Sequence, residues 1–258
     1  MCKVNTERFS GLGKIYSKYR PEYPKELFDY LYSSSTEGQG VKKESLIADI
    51  GSGTGKFTRA LLERGNRVFA VEPNEDMRKA AEEGLSVFEG FVSVNGSDEN
   101  TGLEDGSVDF VTAAQAFHWF DKQAFKTECR RILKPGGKVI LIYNNRDVKS
   151  EQTEENYSII KKYCPDFKGF SGGMGGAAGK EEFGNFFSSG FVTAEFNNDL
   201  SFDEESFIGR NLSGSYAPRE GSEGYNGFIG ELKILFKKFS NNGILIMPNF
   251  TRCYAGKV

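Results

Sequence analysis

A chain of 258 residues, 38% of them hydrophobic, is long enough to bury an α/β core and short enough to be one domain with an elaborated lid. Its 33 basic against 36 acidic residues, net charge −3, argue against a general electrostatic grip on nucleic acid. No apolar run reaches the roughly 18 residues of a membrane span, and the polar, basic start lacks the apolar stretch of a signal peptide, so a soluble, cytoplasmic protein is expected.

In chain order, "YSKYRPEYPKELFDYLYSS" comes first, and Pro24 opens a short predicted helix with Leu27, Phe28, Tyr30 and Leu31 on its apolar face. From about Leu46 to Tyr143, short β-rich runs alternate with helical patterns. The predicted strands are "LIADI" (46–50), "RVFAV" (67–71), "FVSV" (91–94), "VDFVTA" (108–113) and "KVILIY" (138–143). Between them "KFTRALLERG", "NEDMRKAAEEG" and "DKQAFKTECRRILKPGG" carry helical spacing. Such alternation implies right-handed crossovers and a mostly parallel sheet. Beyond it the pattern loosens: "FSGGMGGAAGKEEF" (170–183) reads as a mobile loop, "FVTAEFNNDLSF" (191–202) and "GILIMPNFTRCYAG" (243–256) as two late strands, and 204–213 and 224–239 as helical. Cys2, Cys129, Cys164 and Cys253 show no CxxC pair or zinc-knuckle spacing, so reduced thiols and no metal site are expected.

The first strand runs into "DIGSGTGKF" (49–57). A triphosphate loop requires G-x-x-x-x-G-K-[ST], whereas Gly51 and Gly55 have three residues between them and Phe57, which cannot ligate a metal, follows Lys56. A dinucleotide loop requires G-x-G-x-x-G, and Lys56 occupies the third glycine position. What remains is Asp49 followed by G-x-G-x-G. Glycines let a ligand lie against the backbone, and Asp49 suits a ligand with positive charge. Glu72 ends the next strand 19 residues beyond Gly53, where an acidic side chain can accept both hydroxyls of a ribose. Adenosine with a cationic tail meets both demands.

On "IADIGSGTG", "VFAVEPNEDM", "NGSDENTGLEDGSVDFV", "AQAFHWF" and "LKPGGKVIL", in that order, the chain resembles the class I S-adenosylmethionine-dependent methyltransferases over roughly residues 9 to 145. "YRPEYP" and "QAFHWFD" are similar to a small-molecule branch that includes trans-aconitate methyltransferases and methyltransferase type 11 proteins. The resemblance implies a Rossmann-like, doubly wound seven-stranded sheet, mostly parallel with one antiparallel edge strand and helical lid additions. It implies one domain over 1–258: a helical cap (1–40), a cofactor-binding core (41–145), and lid and specificity elements with the last two strands (146–258). S-adenosylmethionine is the implied cofactor and S-adenosylhomocysteine the product. Gly51, Gly53 and Gly55 would cradle the methionine portion and ribose, Glu72 would take the ribose hydroxyls, and Pro73 and Met77 belong to the same motif. Ser97 or Asp98 would meet the adenine, where the family commonly has an Asp directly after the Gly. Gln115 and Ala116 would lie beside the methionine portion, and Arg20 would face the cofactor carboxylate.

Methyl transfer from a sulfonium needs alignment and exclusion of water rather than a fixed acid or base, so no catalytic residue is implied. His118, the single histidine, is the candidate base and, with Trp119, a candidate pocket wall. Arg210, Ser213 and Tyr216, in "FIGRNLSGSYAPREG", offer groups that could hold an acceptor's oxyanion. The expected reaction is O- or C-methylation of a small molecule, without nucleic-acid or membrane partners. A nicotinamide-dependent oxidoreductase and a non-catalytic S-adenosylmethionine-binding protein are the alternatives.

Overall fold

The computed structural model describes residues 21–34, 38–167, 169, 183–214 and 216–258. Nine strands are present among them: β1 (Leu46–Ile50), β2 (Arg67–Val71), β3 (Phe91–Val94), β4 (Val108–Ala114), β5 (Leu133–Arg146), β6 (Phe191–Asn197), β7 (Leu200–Phe202), β8 (Leu245–Met247) and β9 (Asn249–Gly256). Seven form one sheet in the order β3-β2-β1-β4-β5-β9-β6. β1 to β5 pair in parallel, and β9 is antiparallel to both β5 and β6. The sheet is the expected one in strand number and direction, with one correction: the antiparallel strand is not at the edge. β6 takes the edge, and the later β9 fills the slot between β5 and β6, bonding to both.

The pleat sends alternate side chains to opposite faces, and β5 shows it: Val139, Leu141 and Tyr143 enter one core, Ile140 and Ile142 the other. Helices α1 (Lys25–Tyr32), α2 (Lys56–Leu62) and α3 (Glu75–Leu85) cover the second face with Leu27, Phe28, Leu31, Phe57, Leu61 and Leu85. α4 (Lys122–Ile132) covers the first with Phe125, Cys129 and Ile132, joined by Phe183, Phe186 and Phe187. Each such buried side chain contributes about 1.5–3 kcal/mol of transfer free energy. Side-chain caps fix where helices start: Asn74 accepts from Met77 N–H at α3, and Asp121 from Gln123 and Ala124 N–H at α4. α4 stops at Ile132 rather than running on through "LKPGG", since Pro135 cannot sit inside a helix and Leu133 already begins β5.

The later segments build a separate core. α5 (Glu151–Tyr163), α6 (Glu204–Leu212), α7 (Tyr225–Phe239) and the antiparallel pair β7-β8 enclose Ile160, Phe207, Phe228, Leu232, Leu235 and Leu245. Each predicted late strand is in fact two. The 191–202 run breaks at Asn198 and Asp199, and the 243–256 run breaks at Pro248, so that their outer pieces pair as β7-β8 away from the main sheet. Asp199 Oδ1 accepts from Asn249 N–H at 3.0 Å and fixes the break. No helix among the described residues is long and apolar enough to cross a membrane.

Candidate functional site

The carboxyl ends of β1, β2, β4 and β5 share one rim of the sheet, the side on which open α/β sheets take ligands. Gly51, Gly53 and Gly55 follow β1, all with positive φ (67°, 57° and 77°), a region that L side chains avoid. The three serve different ends. A Cβ on Gly51 would lie 2.7 Å from Ala116 Cβ, and one on Gly55 would lie 2.4 Å from Leu85 Cδ1, so both glycines let neighbouring elements pack close. A Cβ on Gly53 would meet nothing within 4 Å. Gly53 alone of the three faces open space.

Glu72, at the end of β2, is buried and anchors this loop. Its Oε2 accepts from Gly53 N–H at 2.9 Å and its Oε1 from Asn74 N–H at 2.8 Å. Burial raises its carboxyl above the usual range, against those two hydrogen bonds. Two carboxylate oxygens carry about four acceptor sites, so acceptor capacity remains after both bonds. Ser52 Oγ and Thr54 Oγ1, flanking Gly53, are shut off from solvent without a hydrogen-bond partner among the described residues. Buried hydroxyls left this way cost free energy unless a ligand or water meets them.

Asp49 is buried at the end of β1, with both carboxylate oxygens bonded to threonine hydroxyls. Its Oδ2 accepts from Thr58 Oγ1 at 2.7 Å and its Oδ1 from Thr112 Oγ1 at 2.8 Å, which bind β1 to α2 and β4 beneath the loop. Burial pushes its carboxyl up to about 6, with the two threonine hydroxyls pulling the other way. The carboxylate that sequence reasoning expects to be offered to a cationic ligand is, in the structure, also a brace beneath the loop.

Pro73 and Met77 flank the start of α3; Met77 is buried and its N–H is taken by the Asn74 cap. Ser97 Oγ accepts from the N–H groups of Glu99 and Asn100, closing its own turn. Asp98 is buried, accepts from Asp121 N–H at 3.1 Å, and has its carboxyl raised by burial. Gln115 has φ 58°, a turn imposed at the end of β4, and its Nε2 donates to Asn144 O at 3.1 Å. Ala116 is buried against Gly51. His118 and Trp119 lie on a short 3₁₀ turn at 117–119, ring centroids 4.8 Å apart, with Tyr143 6.0 Å from the imidazole.

The structure separates the lid residues. Arg210 lines a recess with Arg146. Ser213 is buried and its hydroxyl donates to Arg210 O at 2.7 Å, while the Tyr216 ring packs 4.6 Å from that of Phe167. Both serve the lid's own packing. Arg20 and the glycine-rich 170–182 stretch fall outside the described residues. Sequence reasoning did not single out Ser52 and Thr54, which stand between the glycines, nor Arg146, Asn156 and Asn249, which line the recess. The rule that ligands gather at strand carboxyl ends is the signal that could have found Arg146.

Residues 48–141 match a family model described as a methyltransferase domain. An uncharacterized methyltransferase of Mycobacterium tuberculosis is 37% identical over 152 residues, covering 59% of this chain and 58% of that protein. A methyltransferase-like protein of Schizosaccharomyces pombe is 35% identical over 160 residues, covering 60% and 58%. The chain thus matches less than two thirds of these relatives' length. Among solved structures, one described as a candidate type II methyltransferase from Anaeromyxobacter dehalogenans superposes with TM-score 0.59 at 21% identity, covering 93% of this chain and 98% of that one. A Haemonchus contortus phosphoethanolamine N-methyltransferase 2, solved with phosphomonomethylethanolamine and S-adenosylhomocysteine, has TM-score 0.51 at 17% identity and covers 99% and 57%. Residues 48–141 are thus similar to a methyltransferase domain, and the chain shares the Rossmann-like fold of the solved structures on which it superposes.

Proposed function

We propose that this chain binds S-adenosylmethionine over the glycine loop and transfers its methyl group to a small-molecule acceptor, on oxygen or carbon. The observation that carries the reading is the loop itself. Gly53 presents open backbone held in place by Glu72, and the buried hydroxyls of Ser52 and Thr54 have no partner among the described residues. These residues fit an adenosyl ligand: Glu72 keeps acceptor sites for ribose hydroxyls, and the positive φ of Gly53 lets a flat ligand lie against the chain.

The sulfonium supplies an already activated methyl group when bound. The chain's own contribution is alignment and the exclusion of water. Gln115, Ala116, His118 and Trp119 form the wall on the β4 side of the rim, and the His118 imidazole orients the acceptor without serving as an indispensable base. Arg210 lies on the lid side, where an anionic acceptor would find a cation. The balanced net charge favours a small molecule over nucleic acid.

Calorimetric titration with S-adenosylhomocysteine tests the cofactor, and a methyl-transfer screen over carboxylic acids, phenols and RNA tests the acceptor. Heat of binding and turnover of a small molecule are expected. A folded chain that binds no S-adenosylhomocysteine, or one that methylates RNA alone, overturns the proposal.

A further inference from the structure

At the carboxyl end of β5 a recess opens between the main sheet and the lid. Two guanidinium-bearing residues line it from different elements: Arg146, the last residue of β5, and Arg210, in the last turn of α6. Three carboxamides complete its polar lining. Asn156 of α5 donates through Nδ2 to Asn211 Oδ1 at 3.0 Å, and Asn211 Nδ2 is spent on Phe207 O, also at 3.0 Å. Asn249 stands beside Arg146, its register partner across β5 and β9. All three asparagines are more than nine-tenths buried. No acidic residue is among those that line the recess, and its remaining wall is apolar, including Phe202 and Met247.

The Asn249 carboxamide is the informative group. It is 4% exposed, it lines the recess, and its Nδ2 has no hydrogen-bond partner among the described residues. A buried amide donor of that kind is costly unless something accepts from it. The two charged side chains that line the recess with it are cations, which donate and do not accept. An acceptor that suits this amide and two guanidinium groups together is an oxyanion.

We infer that this recess is an anion subsite that takes the carboxylate or phosphate end of the methyl acceptor, with Arg146, Arg210 and Asn249 as its donors. This rests on the methyltransferase reading of the glycine loop, which supplies the reacting end of the same molecule. The two regions share one rim: Gln115 at the end of β4 donates to Asn144 O near the end of β5, two residues before Arg146. An acceptor anchored at the recess would reach along that rim toward His118 and the loop.

The test is calorimetry on the full chain, saturated with S-adenosylhomocysteine, titrated with malonate and with inorganic phosphate. Binding of at least one probe is expected, malonate alone marking a carboxylate acceptor and phosphate alone a phosphomonoester. Arg146→Gln and Arg210→Gln should each weaken that binding about tenfold or more, the scale of a lost charge-assisted pair, and leave S-adenosylhomocysteine affinity unchanged. Asn249→Leu should weaken anion binding while holding or raising the melting temperature, because it removes an unpartnered buried amide; a purely structural asparagine would lower the melting temperature on the same change. A chain that binds S-adenosylhomocysteine but neither anion overturns the subsite, as does equal anion binding by all three variants. Loss of S-adenosylhomocysteine binding in the unmodified chain would instead sink the reading of the glycine loop, and the same anion titration without that ligand then decides the recess by itself.

Discussion

The N–H of Gly53 donates to Glu72 Oε2 at 2.9 Å, tying the glycine loop to the end of β2. The carboxylate that would receive a ribose thus also shapes the floor beneath it. Glu72→Ala strips acceptors from Gly53 and Asn74 and is expected to lower both the melting temperature and the affinity for S-adenosylhomocysteine, the latter by about 1.5–3 kcal/mol. Calorimetry and thermal unfolding of the same sample measure the two effects. Undiminished affinity would remove Glu72 from the site.

The glycines should separate fold from function. Gly53→Ala adds a methyl group to open space and carries only the left-handed backbone cost of about 1–2 kcal/mol, yet it should block the ligand. Gly51→Ala drives its Cβ into Ala116 and the Phe120 ring, and should lower the melting temperature further. Comparing unfolding temperature with S-adenosylhomocysteine affinity for both variants checks the contrast. A Gly53→Ala chain that binds normally would place the ligand elsewhere.

Two buried carboxyls give stability opposite pH slopes. Asp49 moves from an ordinary 3.8 to about 6 through burial, so the folded chain holds this proton more tightly than the unfolded chain does. Its contribution is complete below about pH 4 and is lost as pH rises through about 6. Asp49→Asn keeps the shape and should flatten that window and stabilise the chain above it. For Glu128 burial pulls upward, but hydrogen bonds from Arg131 and Thr101 win and lower its carboxyl. Its contribution is present above the usual glutamate range and disappears as pH falls through the lowered value. Denaturant titrations across pH on Asp49→Asn and Glu128→Gln should show slopes removed at different ends of the scale.

His118→Ala should slow kcat by less than about tenfold, since a true general base is typically worth about 10²–10⁴. The acidic limb of the kcat/KM profile should survive the substitution. A hundredfold loss with that limb abolished would make the imidazole the base.

The core strands were legible because each is a short apolar run closed by turn residues, and β1, β2 and β3 have the bounds read from the sequence. α5 was not legible: two of its three buried positions are Thr153 and Asn156, so the apolar period that marks a helix is nearly silent there. The splitting of the late strands depends on a bond between Asp199 and Asn249, 50 positions apart, which no local pattern announces. The site divides the same way. The glycines and Glu72 belong to one contiguous strand-turn-helix unit and its neighbour, so spacing alone pointed to them. The recess gathers Arg146, Asn156, Arg210 and Asn249 from four separate elements, and their meeting is a product of the tertiary fold. Asp49 was visible as a charge, while its capture by Thr58 and Thr112 required knowing that β4 lies beside β1.

The placement of β9 bears on how the molecule is made. Among the described residues β6 pairs, within the main sheet, only with β9, and β9 lies beyond the whole lid in the chain, about a hundred residues after the β5 segment it joins. On a ribosome β1 to β5 can zip together early, leaving β5 with an open edge while the lid emerges, and β6 has no neighbour to dock on until β9 arrives. Closure of such long loops is slow, and an uncovered central strand is a template for the wrong partner. Substitutions that weaken β9, even far from the rim, should therefore reduce the yield of soluble chain at high temperature more than they reduce the activity of molecules that have completed the sheet.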